Sequence, residues 1–185
     1  SLTNDLFIPA IMMNAGEGFC NVDPNSIPGM RAFLDFQSDS FEVHQVPSEV
    51  ETTVLHPYQE FHRYLIYTVA ATWRLWGITW DSIKLLLLAY LFLSCLAIYG
   101  ICRLGMNPLL ALAAALVFIF TPAVYTTLPI LRDFAKAPFI LGVVFILGHL
   151  VFKKNPPYRF LLYTFAAGLL LGIGMGIRRD MMVFL

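Results

Sequence analysis

The chain has 185 residues, of which 58% are hydrophobic and 13% charged, with a mean hydropathy of +0.71. A soluble domain this apolar would lack the polar surface to face water, so the composition points to a membrane protein. Its 12 basic and 12 acidic residues cancel, which removes any bulk electrostatic case for nucleic acid.

In chain order, residues 1–22 are mixed in character. Leu6 to Met13 is apolar, but Pro9 interrupts it, and it is too short to cross about 30 Å of hydrocarbon. It reads either as the end of a truncated first membrane helix or as an interfacial piece. The chain starts without Met and stops inside the apolar run Met181-Met182-Val183-Phe184-Leu185, so it is expected to be a fragment of a longer polytopic protein. Gly16-Glu17-Gly18 reads as a turn. Cys20 has no evident partner, and Cys95 and Cys102 fall within an apolar helix. Neither a disulfide framework nor a metal site follows from them.

Residues 23–82 form the one long polar region, expected to be a partly helical loop. Asp23-Pro24-Asn25-Ser26 has the form of a helix start, with Asp at the N-cap and Pro at the first helical position. The spacing predicts a short helix over about 23–36, with Met30, Phe33 and Leu34 on its apolar face. Residues 37–54 carry no regular pattern. A second helix is predicted over 57–76. His56, Glu60, Arg63, Tyr67 and Arg74 lie on one side, and Phe61, Leu65, Ile66 and Val69 on the other. It is expected to lie on or tilt into the membrane surface. Trp73, Trp76 and Trp80 then suit the lipid–water boundary.

Residues 83–185 read as a membrane domain with helices at about 83–103, 108–128, 137–152 and 160–180. Thr121-Pro122 predicts a kink in the second. The third is short and is expected to recruit residues before Pro138. Gly168, Gly172 and Gly176 form a row of small residues, expected to be a close helix-packing face. The turns 103–107 and 153–159 hold basic residues and no acidic ones. They are therefore expected on the cytoplasmic side. The 23–56 loop, the Arg132–Lys136 turn and Arg178-Arg179-Asp180 then share the extracytoplasmic side.

Three groups of residues stand out as chemistry. Asp23, held beside a proline, suits a general base or a metal ligand, and equally a plain helix cap. His56 and Glu60, one turn apart, could meet a metal or a substrate phosphate or sugar, although two ligands do not make a metal site. Arg132 and Lys136, four residues apart at a helix end, suit the phosphate of a membrane lipid, with Asp133 as a counter-ion in the plainer reading. Arg178 repeats that pattern. His149, alone among apolar residues, reads as a packing or hydrogen-bonding histidine.

The run His56-Pro57-Tyr58-Gln59-Glu60-Phe61-His62-Arg63-Tyr64-Leu65, followed by Thr72-Trp73-Arg74-Leu75-Trp76-Gly77, resembles the "HPP-x-Y…LWxRLFG" segment of GT-C superfamily membrane glycosyltransferases. Protein O-mannosyltransferase-like and aminoarabinose-transferase-like proteins belong to that superfamily. The second proline of that pattern is Tyr58 here. The later segments match in order over roughly residues 20–185, with Arg132 at the place of a family arginine. The resemblance implies an all-α integral membrane fold, a polytopic helical bundle of which this is the N-terminal part. It implies a polyprenyl-phosphate-linked sugar donor, with Arg132, Lys136, His56, Glu60 and Arg178 toward the lipid phosphate and sugar. It implies a catalytic carboxylate in the first extracytoplasmic loop. That carboxylate is Asp23, with Glu17, Asp35 and Asp39 as further candidates, because the family's Asp-Glu pair is absent. Some branches use a divalent metal, and the sequence leaves this cofactor open. The competing expectation is a non-catalytic polytopic protein, either a transporter subunit or a lipid-phosphate-binding assembly protein.

Overall fold

A computed structural model describes residues 5–47 and 49–177. Helices dominate it. The chain divides into two compact units, one up to Leu86 and one from Leu87 onward.

The first unit is built around a helix that the sequence left undecided. A 3-10 turn, Asp5–Phe7, runs into α1, Ile8–Ala15. Pro9 does not interrupt the helix. It stands in the first turn, where a missing N–H costs nothing. Gly16, at φ +91°, ends α1 in the left-handed region, and the N–H groups of Gly16 and Glu17 close on the carbonyls of Met13 and Met12. Leu6, Ile8, Ala10, Ile11 and Met12 are all 2% exposed or less. Protein covers this segment, which is a core element of the unit.

The strands β1 (Asn21–Val22) and β2 (Thr52–Thr53) pair antiparallel, Asn21 with Thr53 and Val22 with Thr52. This short ladder falls in stretches read as irregular. The expected helix over 23–36 shrinks to α2, Met30–Leu34. Pro28 and the left-handed Gly29 (φ +77°) hold the chain out of helix until Met30. The predicted apolar face does form, with Met30, Phe33 and Leu34 fully buried. At its end the N–H of Gln37 bonds to the carbonyl of Ala32 (2.8 Å) and that of Phe36 to Phe33 (3.0 Å). This closure needs a left-handed residue, and it is Phe36, at φ +59°. Glycine normally fills that place; a side chain there costs roughly 1–2 kcal/mol.

The predicted helix over 57–76 is two helices. Helix α3 (Pro57–Phe61) and α4 (Arg63–Trp76) meet at His62, whose φ −111° and ψ 22° leave the helical region. The two faces fall largely as predicted. Leu65, Ile66 and Val69 are buried and Arg63 and Arg74 exposed, but Phe61 is only half-buried, and Trp73, expected at the lipid–water boundary, joins the buried side. The apolar face does not lie in a membrane surface, however, because α1 packs on it. Asn14 fastens the pair, its side-chain amide donating to the carbonyls of Ala10 (2.8 Å) and Ala70 (3.1 Å). Fully burying each of the large apolar side chains there is worth about 1.5–3 kcal/mol.

Of the three tryptophans, Trp73 is a core residue and Trp80 is partly covered. Trp73 is 1% exposed and Trp80 is half-buried; both meet Phe7 and Phe33. Their indole N–H groups donate to the carbonyls of Thr79 and Phe33. Trp76, 58% exposed, is the one most open to meet a boundary.

Helix α5, Trp80–Arg103, starts in the first unit and continues into the second. The second unit continues with α6 (Pro108–Ile119), α7 (Pro122–Thr127), α8 (Leu131–Phe134), α9 (Ala137–Phe152) and α10 (Pro157–Ile177). Asn107 caps α6 by accepting the N–H of Leu110 (2.9 Å). The expected kinked helix over 108–128 is a full break. Pro122 has no N–H to offer, and Thr121 before it turns extended at ψ 144°. The Thr121 hydroxyl donates instead to the carbonyl of Phe118 (2.7 Å). The 12 residues of α6 span about 18 Å, less than a hydrocarbon core.

Among the described residues, three helical stretches are long and apolar enough to cross a membrane: Trp80–Arg103, Leu131–Phe152 and Pro157–Ile177. The second joins α8 to α9 through Ala135 and Lys136, both in helical conformation. This is the recruitment expected before Pro138. Close packing in this unit uses Gly100 and Gly148, which lie outside the expected row. A Cβ on Gly100 would meet ring carbons of Phe145 at 2.8 and 2.9 Å, and one on Gly148 would meet Leu104 at 2.7 Å. Gly168 and Gly172 have nothing within 4 Å. His149 behaves as expected, its ring edge-on to Tyr163 at 4.9 Å.

Candidate functional site

Asp23 follows β1 directly, and its carboxylate is fixed by local geometry. It does not cap a helix. Its Oδ1 accepts the backbone N–H of Asn25 and the side-chain amide of Asn25, both at 2.9 Å. The Ser26 N–H and hydroxyl bond back to the Asp23 carbonyl at 3.0 and 2.7 Å. This is an aspartate turn, which competes locally with a helix start. Both amides use the same oxygen, so Oδ2 points to solvent with no partner among the described residues. Asp23 also lies close enough to Arg31 for its charge to act on the guanidinium.

Arg31 is the organiser that the residue pattern did not single out. Its Nε and Nη2 hold both oxygens of Asp35, at 2.7 and 2.8 Å, and its Nη1 reaches Asp5 at 3.3 Å. The signal was the i, i+4 spacing of Arg31 and Asp35 across one helical turn. The Arg31 hydrogen bond holds the Asp35 carboxyl below its ordinary value, against a smaller opposing effect of desolvation. Asp35 is therefore engaged on both oxygens and disfavoured as a proton acceptor.

Asp39 and Glu17 sit elsewhere in this unit. Asp39 is exposed where the chain bridges to the head of α5; its carbonyl accepts the Trp80 N–H (3.2 Å). Glu17 is exposed just past the end of α1, and its carbonyl accepts the Cys20 thiol at 3.6 Å. Burial, and secondarily the Glu17 charge, push that thiol up from its ordinary value.

His56 and Glu60 are both exposed, with His56 at the start of α3 and Glu60 in its first turn. Gln59 between them is buried. Its carbonyl oxygen takes the His56 N–H (3.1 Å), and its amide donates to Asn21 Oδ1 and the Asp5 carbonyl (3.0 and 2.9 Å). Asp23 continues from one end of the short β1–β2 ladder, and β2 leads toward His56 from the other. Arg31 joins Asp35 and Asp5 and feels the charge of Asp23, while Gln59, between His56 and Glu60, reaches the carbonyl of the same Asp5 and the side chain of Asn21. Among the described residues no three of His, Cys, Asp and Glu stand together as a metal site.

In the second unit, Arg132 lies on α8 and Lys136 one helical turn later, at the start of α9. Helical geometry through Ala135 keeps the two on one face, as their spacing predicted. Arg132 Nε meets Asp133 Oδ1 at 3.3 Å, with side-chain exposures of 29% and 26%. Asp133 is therefore the counter-ion that the plainer reading expected. Arg178 lies outside the described residues. No family model matches the chain, and neither a curated protein nor a solved structure matches it.

Proposed function

We propose that the chain is part of an integral-membrane glycosyltransferase of the GT-C type. It transfers a sugar from a polyprenyl-phosphate-linked donor to an acceptor hydroxyl outside the cytoplasm. The observation that carries the reading is the Arg132–Lys136 turn. Two cations, one of them under a third exposed, stand on one helical face at the head of an apolar stretch that ends at Phe152. Cations at the edge of hydrocarbon cost energy, and beyond the Asp133 that pairs with Arg132 the two together suit a further anion. A lipid-linked phosphate is an anion that occurs at that depth.

In this mechanism Asp23 Oδ2 accepts the proton of the acceptor hydroxyl. The acceptor oxygen attacks the anomeric carbon as the bond from that carbon to the phosphate oxygen breaks. The bonding pair leaves with the polyprenyl phosphate. Considered within its own unit and independently of Asp23, the Arg132–Lys136 face is assigned the donor phosphate, since fixed cations accelerate most where charge gathers on a leaving group. Asp23 is preferred to Asp35 because Arg31 occupies both oxygens of Asp35.

The test is donor kinetics in membranes with a radiolabelled polyprenyl-phosphate sugar. Arg132→Gln is expected to lower kcat/KM by about 10²–10³. Lys136→Gln is expected to lower it less, since an ammonium lacks the guanidinium fork. Unchanged kinetics in both variants would overturn the phosphate assignment.

A further inference from the structure

Helix α4 turns its apolar side to protein, yet its outer side is not an ordinary solvated face. Tyr64, Tyr67, Ala71, Arg74 and Leu75 follow one stripe at helical spacing. Leu75 and Trp76 are 72% and 58% exposed. The helix contains no acidic residue, and neither Arg63 nor Arg74 forms an ion pair among the described residues. Arg63 lies over the rings of Phe19 (5.1 Å) and Tyr67 (5.9 Å). Arg74 lines a groove of about 170 Å³ between α1 and α4, with Met13, Asn14, Tyr67, Ala70 and Ala71.

The stripe is tied to the start of an apolar span. Three residues separate Trp76 from α5, and the Ser82 hydroxyl ties back to the Gly77 carbonyl (3.3 Å). Phe36, 62% exposed in its left-handed conformation, sets its ring 4.4 Å from that of Trp80, the first residue of the span. Exposed Phe36 thus sits against the head of α5, exposed Leu75 and Trp76 shortly precede it in the chain, and Leu75 directly follows the groove's Arg74. Aromatic and aliphatic groups next to free cations suit the boundary between acyl chains and anionic headgroups.

We propose that the α1–α4 groove binds the phosphate of an anionic membrane phospholipid. The Arg74 guanidinium donates to the phosphate oxygens, as do the Tyr67 hydroxyl and the Asn14 amide, which exchanges a backbone partner to do so. Phe36, Leu75 and Trp76 enter the acyl boundary. This rests on α5 crossing a bilayer and is independent of sugar transfer.

Native mass spectrometry of the whole chain in micelles tests it, with phosphatidylglycerol or phosphatidylcholine added. The wild type is expected to retain phosphatidylglycerol about tenfold better, the worth of one charge-assisted hydrogen bond. Arg74→Gln is expected to lose that preference, Arg74→Lys to keep part of it, and Arg159→Gln to keep it whole. An unchanged preference in Arg74→Gln, or an equal loss in Arg159→Gln, would overturn the site. So would displacement of the lipid by millimolar inorganic phosphate, which would make the groove a site for free anions. In nanodiscs, acyl-brominated lipids are expected to quench the wild type more than Trp76→Phe. Equal quenching would contradict the acyl contact.

Discussion

Gly100 and Gly168 occupy helices of similar apolar character, yet alanine at each should move stability in opposite directions. In a helix interior alanine is favoured over glycine by about 0.8–1.0 kcal/mol. At Gly168 nothing stands within 4 Å of the new Cβ, so the gain should be realised in full. At Gly100 the Cβ would sit 2.8 and 2.9 Å from two ring carbons of Phe145. A ring cannot retreat as a flexible chain end can, and such overpacking costs about 1–3 kcal/mol. The net at Gly100 is a loss of up to about 2 kcal/mol. With about 2–4 °C per kcal/mol for a chain of this size, the two variants should differ in Tm by several degrees. Thermal unfolding in detergent micelles measures this. In a Phe145→Ala background the cost of Gly100→Ala should vanish, which ties the effect to that ring. If Gly100→Ala raises Tm as much as Gly168→Ala, the close approach of α5 and α9 at this point is refuted.

Other outcomes follow from the first unit. Asp35 is held below its ordinary value of 3.8 by Arg31, so the pair's contribution is complete above that pH and is lost as pH falls through the lower folded value. Asp35→Asn should therefore flatten the acid limb of a stability–pH profile while leaving the neutral and basic limbs parallel to wild type; an unchanged acid limb would count against the pairing. Phe36→Gly should relieve the left-handed strain and stabilise by about 1 kcal/mol in micelles, while weakening retention in bilayers, as read by detergent extraction. Cys20 should react with a maleimide more slowly at pH 7 than a free thiol, because burial and Glu17 hold it protonated; a rate equal to that of a free thiol would contradict its environment.

Residue pattern revealed most where one period dominates. Of the apolar runs from Ile83 onward, those at 83–103 and 137–152 gave their helices closely, whereas the run at 108–128 broke at Thr121-Pro122 into two. The two faces of 57–76 were also legible from spacing. What covers the apolar face was not, since nothing local in Leu65, Ile66 or Val69 distinguishes lipid from a packed helix. The answer lay in Ile8 to Met12, a segment whose single proline masked a helix by falling in its first turn. Asp23 was misplaced for a related reason. An aspartate before proline serves an aspartate turn as readily as a helix start, and Pro28-Gly29 decided between them. Arg31 was overlooked because its two carboxylates, Asp35 and Asp5, come from both local and distant positions. The Arg132–Lys136 pairing needed only helical spacing and was read directly.

The central claim is that Asp23 accepts a proton during transfer from a lipid-linked sugar. Consumption of a labelled polyprenyl-phosphate sugar by membranes carrying the full-length protein, compared with Asp23→Asn, tests it most directly. The wild type is expected to consume the donor, Asp23→Asn to lose about 10²–10⁴ in rate, and Asp35→Asn to stay close to wild type. Equal consumption by wild type and Asp23→Asn would contradict it.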